Sequence, residues 1–225
     1  MDPIALARNY AAVKASLPLH ISLVAVSKTR TVEEIQALYD LGHRDFGENY
    51  PQELKEKQPL LPGDIRWHFI GHLQRNKVKY ILPFVHLVHS VDSESLLDEL
   101  QKRASTLGRT LDILLQVHIA QEETKHGFSP GELEDLLTRW ELVQRDHIRV
   151  RGLMGMASLT EDQNRIRSEM DGLFSIFRTV REKGTFDPVT FSILSMGMSG
   201  DVEVAVAAGS TLVRIGTAIF GDRRG

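Results

Sequence analysis

Eight short runs rich in apolar and β-branched residues, each separated from the next by a segment with helical spacing, constrain this chain more than any other feature. The runs lie at residues 23–26 (LVAV), 45–48 (DFGE), 66–70 (RWHFI), 85–91 (VHLVHSV), 111–119 (LDILLQVHI), 148–156 (IRVRGLMGM), 190–194 (TFSIL) and 211–215 (TLVRI). Residues 31–41 space Val32, Ile35, Leu38 and Leu41 on one helical face, with Thr31 and Glu34 as a capping box and Gly42 as a stop. Further helices are predicted at 1–16, 51–58, 76–82, 93–106, 130–140 behind a Ser129 cap, 164–182 and 201–208. Strand alternating with helix across short connections is the pattern of a parallel sheet joined by crossover helices. Eight strands predict an α/β fold of the (β/α)8 TIM-barrel type with an extra N-terminal helix; a doubly wound open sheet is the alternative.

No linker composition, repeat or low-complexity tract interrupts the 225 residues, so residues 1–225 read as a single domain. A net charge of -3 gives no reason to expect nucleic acid or an anionic membrane surface as partner. The absence of cysteine excludes disulfides, thiolate catalysis and cysteine metal sites. Residues 1–16 lack the unbroken apolar core of a signal peptide, and no segment has the apolar length of a membrane span, so a cytoplasmic protein is expected.

In a parallel sheet or barrel, ligands bind where the strands end. The first strand ends at Lys28, the second at Glu48 and Asn49, the third at Gly71 and His72, the seventh at the SMGMSG turn from Ser195 to Gly200, and the eighth at Gly216 and Thr217. A lysine against apolar walls loses hydration of its charged form and becomes available for Schiff-base chemistry; the alternative is a surface lysine that merely ends a strand. Turns rich in hydroxyls and amides after the last two barrel strands are a common phosphate site, although each could equally serve as a helix cap or closing turn. Lysine and phosphate together narrow the ligand to a phosphorylated carbonyl compound, either a sugar phosphate or pyridoxal 5'-phosphate (PLP).

The segments VAVSK, FGENY, WHFIGHLQRNK, GLMGMAS, LSMGMSGD and GSTLVRIGTAIFG, in this order and spacing, resemble the YggS/PROSC family of PLP homeostasis proteins. The resemblance implies a single barrel like the N-terminal domain of alanine racemase, with Lys28 as the PLP lysine. It implies that Ser195, Ser199, Gly216 and Thr217 hold the phosphate, that Asn49 lies beside the ring, and that Arg214 approaches the pyridine nitrogen or the phosphate. Buffering or delivery of PLP, possible client enzymes that depend on it, and a monomeric state are the corresponding expectations; weak racemase-like activity is the alternative. A guanidinium only donates, so a pyridine nitrogen bonded to Arg214 would stay unprotonated and the ring would be a poor electron sink. Arg214 paired with a carboxylate such as Glu48 is the structural alternative. A racemase also needs a second acid or base. Few residues follow the eighth strand, so no further domain is expected to supply one, and His68, His72, His118 and Lys125 are the residues to inspect. His68 reads as a core histidine. His118 and Arg75 depart from the residues common at these places in the family. The pairs His68/His72 and His86/His89 do not share a helix, and no metal site is expected.

Overall fold

The computed structural model describes residues 2–122 and 126–222. Local signals place most of its elements. Asp2 accepts a hydrogen bond from the Ile4 amide and opens α1, Pro3–Ser16, at a proline whose missing N–H would have had no partner there. Thr31 and Glu34 form the predicted capping box at the start of α2, Val32–Asp40, and Ser129 with Glu132 does the same for α6, Pro130–Thr138. The other helices are α3 Pro51–Lys57, α4 Val78–Ile81, α5 Glu94–Thr106, α7 Gln163–Lys183, α8 Val202–Ala207 and α9 Thr217–Phe220.

The strands are β1 Ser22–Val26, β2 Asp45–Glu48, β3 Arg66–Phe69, β4 Leu87–Val91, β5 Leu111–Gln116, β6 Ile148–Met154, β7 Ile193–Ser195 and β8 Leu212–Ile215. They pair in parallel in sequence order, and β8 returns to β1 with Arg214 opposite Val24. The barrel is closed, which removes the open-sheet alternative.

Six strands are shorter than predicted, and in three of them turns claim an end. The Val85 amide still bonds back to Ile81 O, Val117 leaves β5 to bridge Phe128, and Thr190 and Phe191 close a turn on Asp187 O. Helix α9 was not predicted, since four residues are too few to show a period. Arg30 secures its end by donating to the carbonyls of Phe220, Gly221 and Asp222.

The main core fills the layer between barrel and helices, where Leu38, Phe46, Leu97, Leu115, Leu173 and Val213 are all inaccessible to water. Each such side chain contributes about 2 kcal/mol by leaving water. A separate cluster, Leu87, Leu114 and Met154, comes from β4, β5 and β6. His89 on β4 contacts Ser195 on β7, two strands that are not neighbours in the closed sheet, so these polar side chains meet across the barrel interior.

Candidate functional site at the barrel mouth

Lys28 lies two residues past the end of β1, after Ser27, and is half-buried. The residues around its backbone are tightly organised. Ser27 Oγ donates to Glu48 Oε1 at 2.7 Å, and Lys57 Nζ donates both to that oxygen and to Ser27 O at 2.8 Å. Lys57 also reaches Glu53 at 2.6 Å, and the same Glu53 oxygen accepts the Thr29 amide at 2.6 Å. Thr29 has φ +62, a left-handed conformation that a β-branched residue adopts only at a cost of about 1–3 kcal/mol. The Glu53 anchor offsets that cost and turns the chain sharply after Lys28. Burial drives the Glu48 carboxyl up to about 7, against the opposing pull of Lys57 and Ser27. Its second oxygen, Oε2, and the neighbouring Asn49 Oδ1 are buried with no hydrogen-bond partner among the described residues.

Arg214, on β8, is buried, and its Nη1 donates to Ser195 Oγ at 2.6 Å while Nη2 donates to Gly155 O at 3.2 Å. Burial lowers its pKa to about 10, so the guanidinium remains charged at neutral pH. Glu48, the carboxylate considered as its partner from the sequence, is engaged by Lys57 instead. Ser195 Oγ continues to His89 Nδ1 at 3.0 Å, His89 Nε2 to His68 Nδ1 at 2.9 Å, and His68 Nε2 to Asp45 Oδ1 at 3.1 Å. Burial, then the charges of His68 and Arg214, hold the His89 pKa well below its ordinary value. Burial alone would raise the Asp45 carboxyl, but the hydrogen bonds from His68 and Arg66 keep it well below the usual range.

Donor chemistry sets both ends of this string. Arg214 cannot accept, so Ser195 accepts from it, and at the other end the Asp45 carboxylate accepts from His68 Nε2. The Ser195–His89 and His89–His68 contacts complete a string that runs from the mouth to the opposite end of the barrel. The Ser195 hydroxyl thus holds Arg214 inside the barrel, at the end of β7 where the phosphate contact is expected.

The remaining mouth residues are loop positions. Ser199 is exposed in the turn between β7 and α8, a turn closed by the Met198 amide donating to Asp201 Oδ1 at 2.5 Å. Gly216 joins β8 to α9, and a Cβ there would stand 3.2 Å from Val26 O, so only the smallest residue lets the two strand ends approach freely. Thr217 is the first residue of α9, whose opening amides have no partner within the helix.

The family model described as "Alanine racemase, N-terminal domain" matches residues 1–224. The pyridoxal phosphate homeostasis protein of Aquifex aeolicus is 40% identical over 204 residues, covering 90% of this chain and 87% of its own. The chain belongs to the alanine racemase N-terminal domain family and, within it, to the pyridoxal phosphate homeostasis proteins. The homologue of that name in Synechocystis is 35% identical and covers 95% of this chain and 97% of its own. PipY of Synechococcus elongatus, solved with PLP bound, superposes with a TM-score of 0.86 at 32% identity over 96% of this chain and 100% of PipY. An alanine racemase of Clostridium difficile, at 16% identity and TM-score 0.78, covers 98% of this chain and 56% of its own and shares the fold.

Within this family frame, the predicted residues separate into two groups. Lys28, Asn49, Ser195, Ser199, Arg214, Gly216 and Thr217 all sit at or beside the C-terminal ends of β1, β2, β7 and β8, which are consecutive around the barrel. His72 is exposed and bonded to Asp92 across the β3 and β4 loops. His68 is the buried histidine expected, and His118 is half-buried against Glu122 O. Arg75 is exposed, and Lys125 lies outside the described residues. Sequence reasoning missed Lys57, Glu53 and Asp45. Glu53 and Lys57 carried a visible signal, a carboxylate four residues before a lysine on one helix.

Proposed function

We propose that this chain is one PLP-binding barrel domain that holds PLP as a Schiff base on Lys28 and takes part in PLP homeostasis by buffering or delivering the cofactor. The observation that carries the reading is a half-buried lysine at the end of β1, in the same barrel mouth as a buried, donor-only arginine on the adjoining β8. The homologues named for this role and PLP-bound PipY support it. The donor set fits an aromatic aldehyde carrying a phosphate. Ser195, Ser199, Gly216 and Thr217 offer hydroxyl and amide donors for the phosphate, and Ser195 also holds Arg214. Asn49, with its unpartnered buried oxygen, would lie beside the ring, and Arg214 would approach the ring nitrogen or the phosphate.

Bound PLP supplies an aldehyde for covalent capture and a ring able to delocalise charge. Arg214 limits the second of these, because a nitrogen that accepts from a guanidinium stays unprotonated. Lys28 captures and releases; the polar string behind Arg214 fixes its plane. The protein then acts as a carrier in the cytoplasm, as a monomer, for enzymes that depend on PLP.

The test is the visible spectrum of purified protein before and after borohydride, beside Lys28→Ala. We expect a yellow band that reduction converts into a stable adduct on Lys28 and that the variant lacks. A protein that stays colourless after incubation with PLP overturns the reading and points to sugar phosphates. Exchange of the α-proton of D- or L-alanine with solvent at enzymatic rates would replace the carrier with a racemase.

A further inference from the structure

Three side chains at the mouth play no part in the site above. His72 follows β3, Asp92 follows β4 and His126 lies in the connection after β5, so three successive loops contribute one residue each. Asp92 is the fixed member. Its side chain is 8% exposed, and Ser93 Oγ donates to its Oδ1 at 3.3 Å. Its other oxygen, Oδ2, faces both imidazoles, with His72 Nδ1 at 2.9 Å and His126 Nδ1 at 3.7 Å. The two rings stack with centroids 3.8 Å apart and planes 12° from parallel. One donor atom from each residue lies within 4.8 Å of the other two.

Hydrogen bonding accounts for only part of this arrangement. The His72 contact is a hydrogen bond, but 3.7 Å from His126 to Asp92 is too long for one. Two nitrogen or oxygen ligands of a tetrahedral zinc ion, each bonded at about 2.1 Å, stand about 3.4 Å apart. The two observed separations bracket that value. The stacked rings must turn for both nitrogens to meet one ion, and at 42% and 54% exposure the two histidine side chains have solvent space in which to do so, whereas the carboxylate is held.

We propose that His72, Asp92 and His126 form a binding site for a divalent first-row transition ion, with zinc as the match to two imidazoles and a carboxylate. Three protein ligands leave at least one coordination position for water or a small anion. The site opens onto a cleft of about 590 Å³ lined in part by Arg75, Asn76 and Glu99. It uses none of the residues assigned to PLP.

The test titrates the full-length protein with zinc against a colorimetric chelator, and with cobalt(II) followed by its visible ligand-field bands. Both are done on PLP-free and PLP-loaded protein, because PLP itself chelates metals. The expected result is one ion per chain in both forms, with Asp92→Asn and His126→Ala each weakening binding by at least about tenfold. His20→Ala, which removes an exposed histidine before β1, should leave it unchanged. No saturable binding, binding that persists in both trio variants, or binding seen only with PLP present would overturn the site. His126→Ala changes an exposed side chain, so the test stands even if Asp92→Asn fails to fold.

Discussion

Arg214 Nη1 donates to Ser195 Oγ at 2.6 Å, and through that one oxygen the mouth of the barrel is tied to a histidine pair and to Asp45 at its far end. Ser195→Ala would leave both the guanidinium and His89 Nδ1 without this partner. We expect a stability loss of about 2 kcal/mol, with the fold retained. If Arg214 meets the cofactor as proposed, PLP affinity falls as well and the visible band of the bound form shifts. Equilibrium denaturation and spectral titration with PLP measure the two effects; unchanged values of both would remove Ser195 from a positioning role.

Glu48 and Lys57 give a second prediction. Lys57→Met removes the buried cation and leaves Glu48, which has no exposure to water, without its ion-pair partner. The expected cost is roughly 3–5 kcal/mol at neutral pH. The sign of its pH dependence follows from the raised folded pKa, about 7 against 4.5. A carboxyl that holds its proton more tightly when folded stabilises less as pH rises through that window, and losing Lys57 raises the folded value further. The variant should therefore recover stability at pH 5 relative to pH 8, as read by chemical denaturation at the two values. Lys57→Met with Glu48→Gln should recover it at both.

His43 moves stability in the other direction. It is buried, its Nε2 lies 2.8 Å from Asp45 O and its Nδ1 lies 3.3 Å from Tyr10 Oη, an arrangement that satisfies the neutral ring. Burial lowers its pKa from 6.5 to about 4. The unfolded chain takes up this proton first, so stability is lost as pH falls from 6.5 toward 4, by up to about 3 kcal/mol. His43→Gln should be less stable than the parent at pH 7.5, and the gap should narrow by pH 5 in urea titrations.

Gly152 tests the barrel wall. It sits in β6 at φ +151, where the register with β5 slips by one residue, and a Cβ there would lie 1.8 Å from Ile193 O on β7. Gly152→Ala must push β6 and β7 apart. We expect a loss of at least about 2 kcal/mol, measurable as a lower melting temperature, whereas Gly172→Ala, in open space on α7, should not destabilise.

The order of strands and helices, the capping box at Thr31, the cap at Ser129, and the ends of β1, β2 and β8 were legible in the sequence because each is set by residues a few positions apart. The ends of the predicted strands likewise picked out Lys28, Asn49 and the two glycine-containing turns as mouth residues, and the family resemblance added Arg214. Closure of the barrel was expected from the strand count, but its register was not legible: it depends on Ser22–Ala25 pairing with Leu212–Ile215, nearly the whole chain apart. Nor was the task of the Ser195 hydroxyl, since its partner His89 is 106 residues away and on the opposite side of the barrel. The trio of His72, Asp92 and His126 was missed for the same reason, as metal spacing was sought within single segments while these ligands come from three loops. Local periodicity and capping energies act over a few residues and are written in order along the chain. Which polar atoms face one another across a closed barrel depends on strand register and side-chain direction, and those exist only once all eight strands have paired.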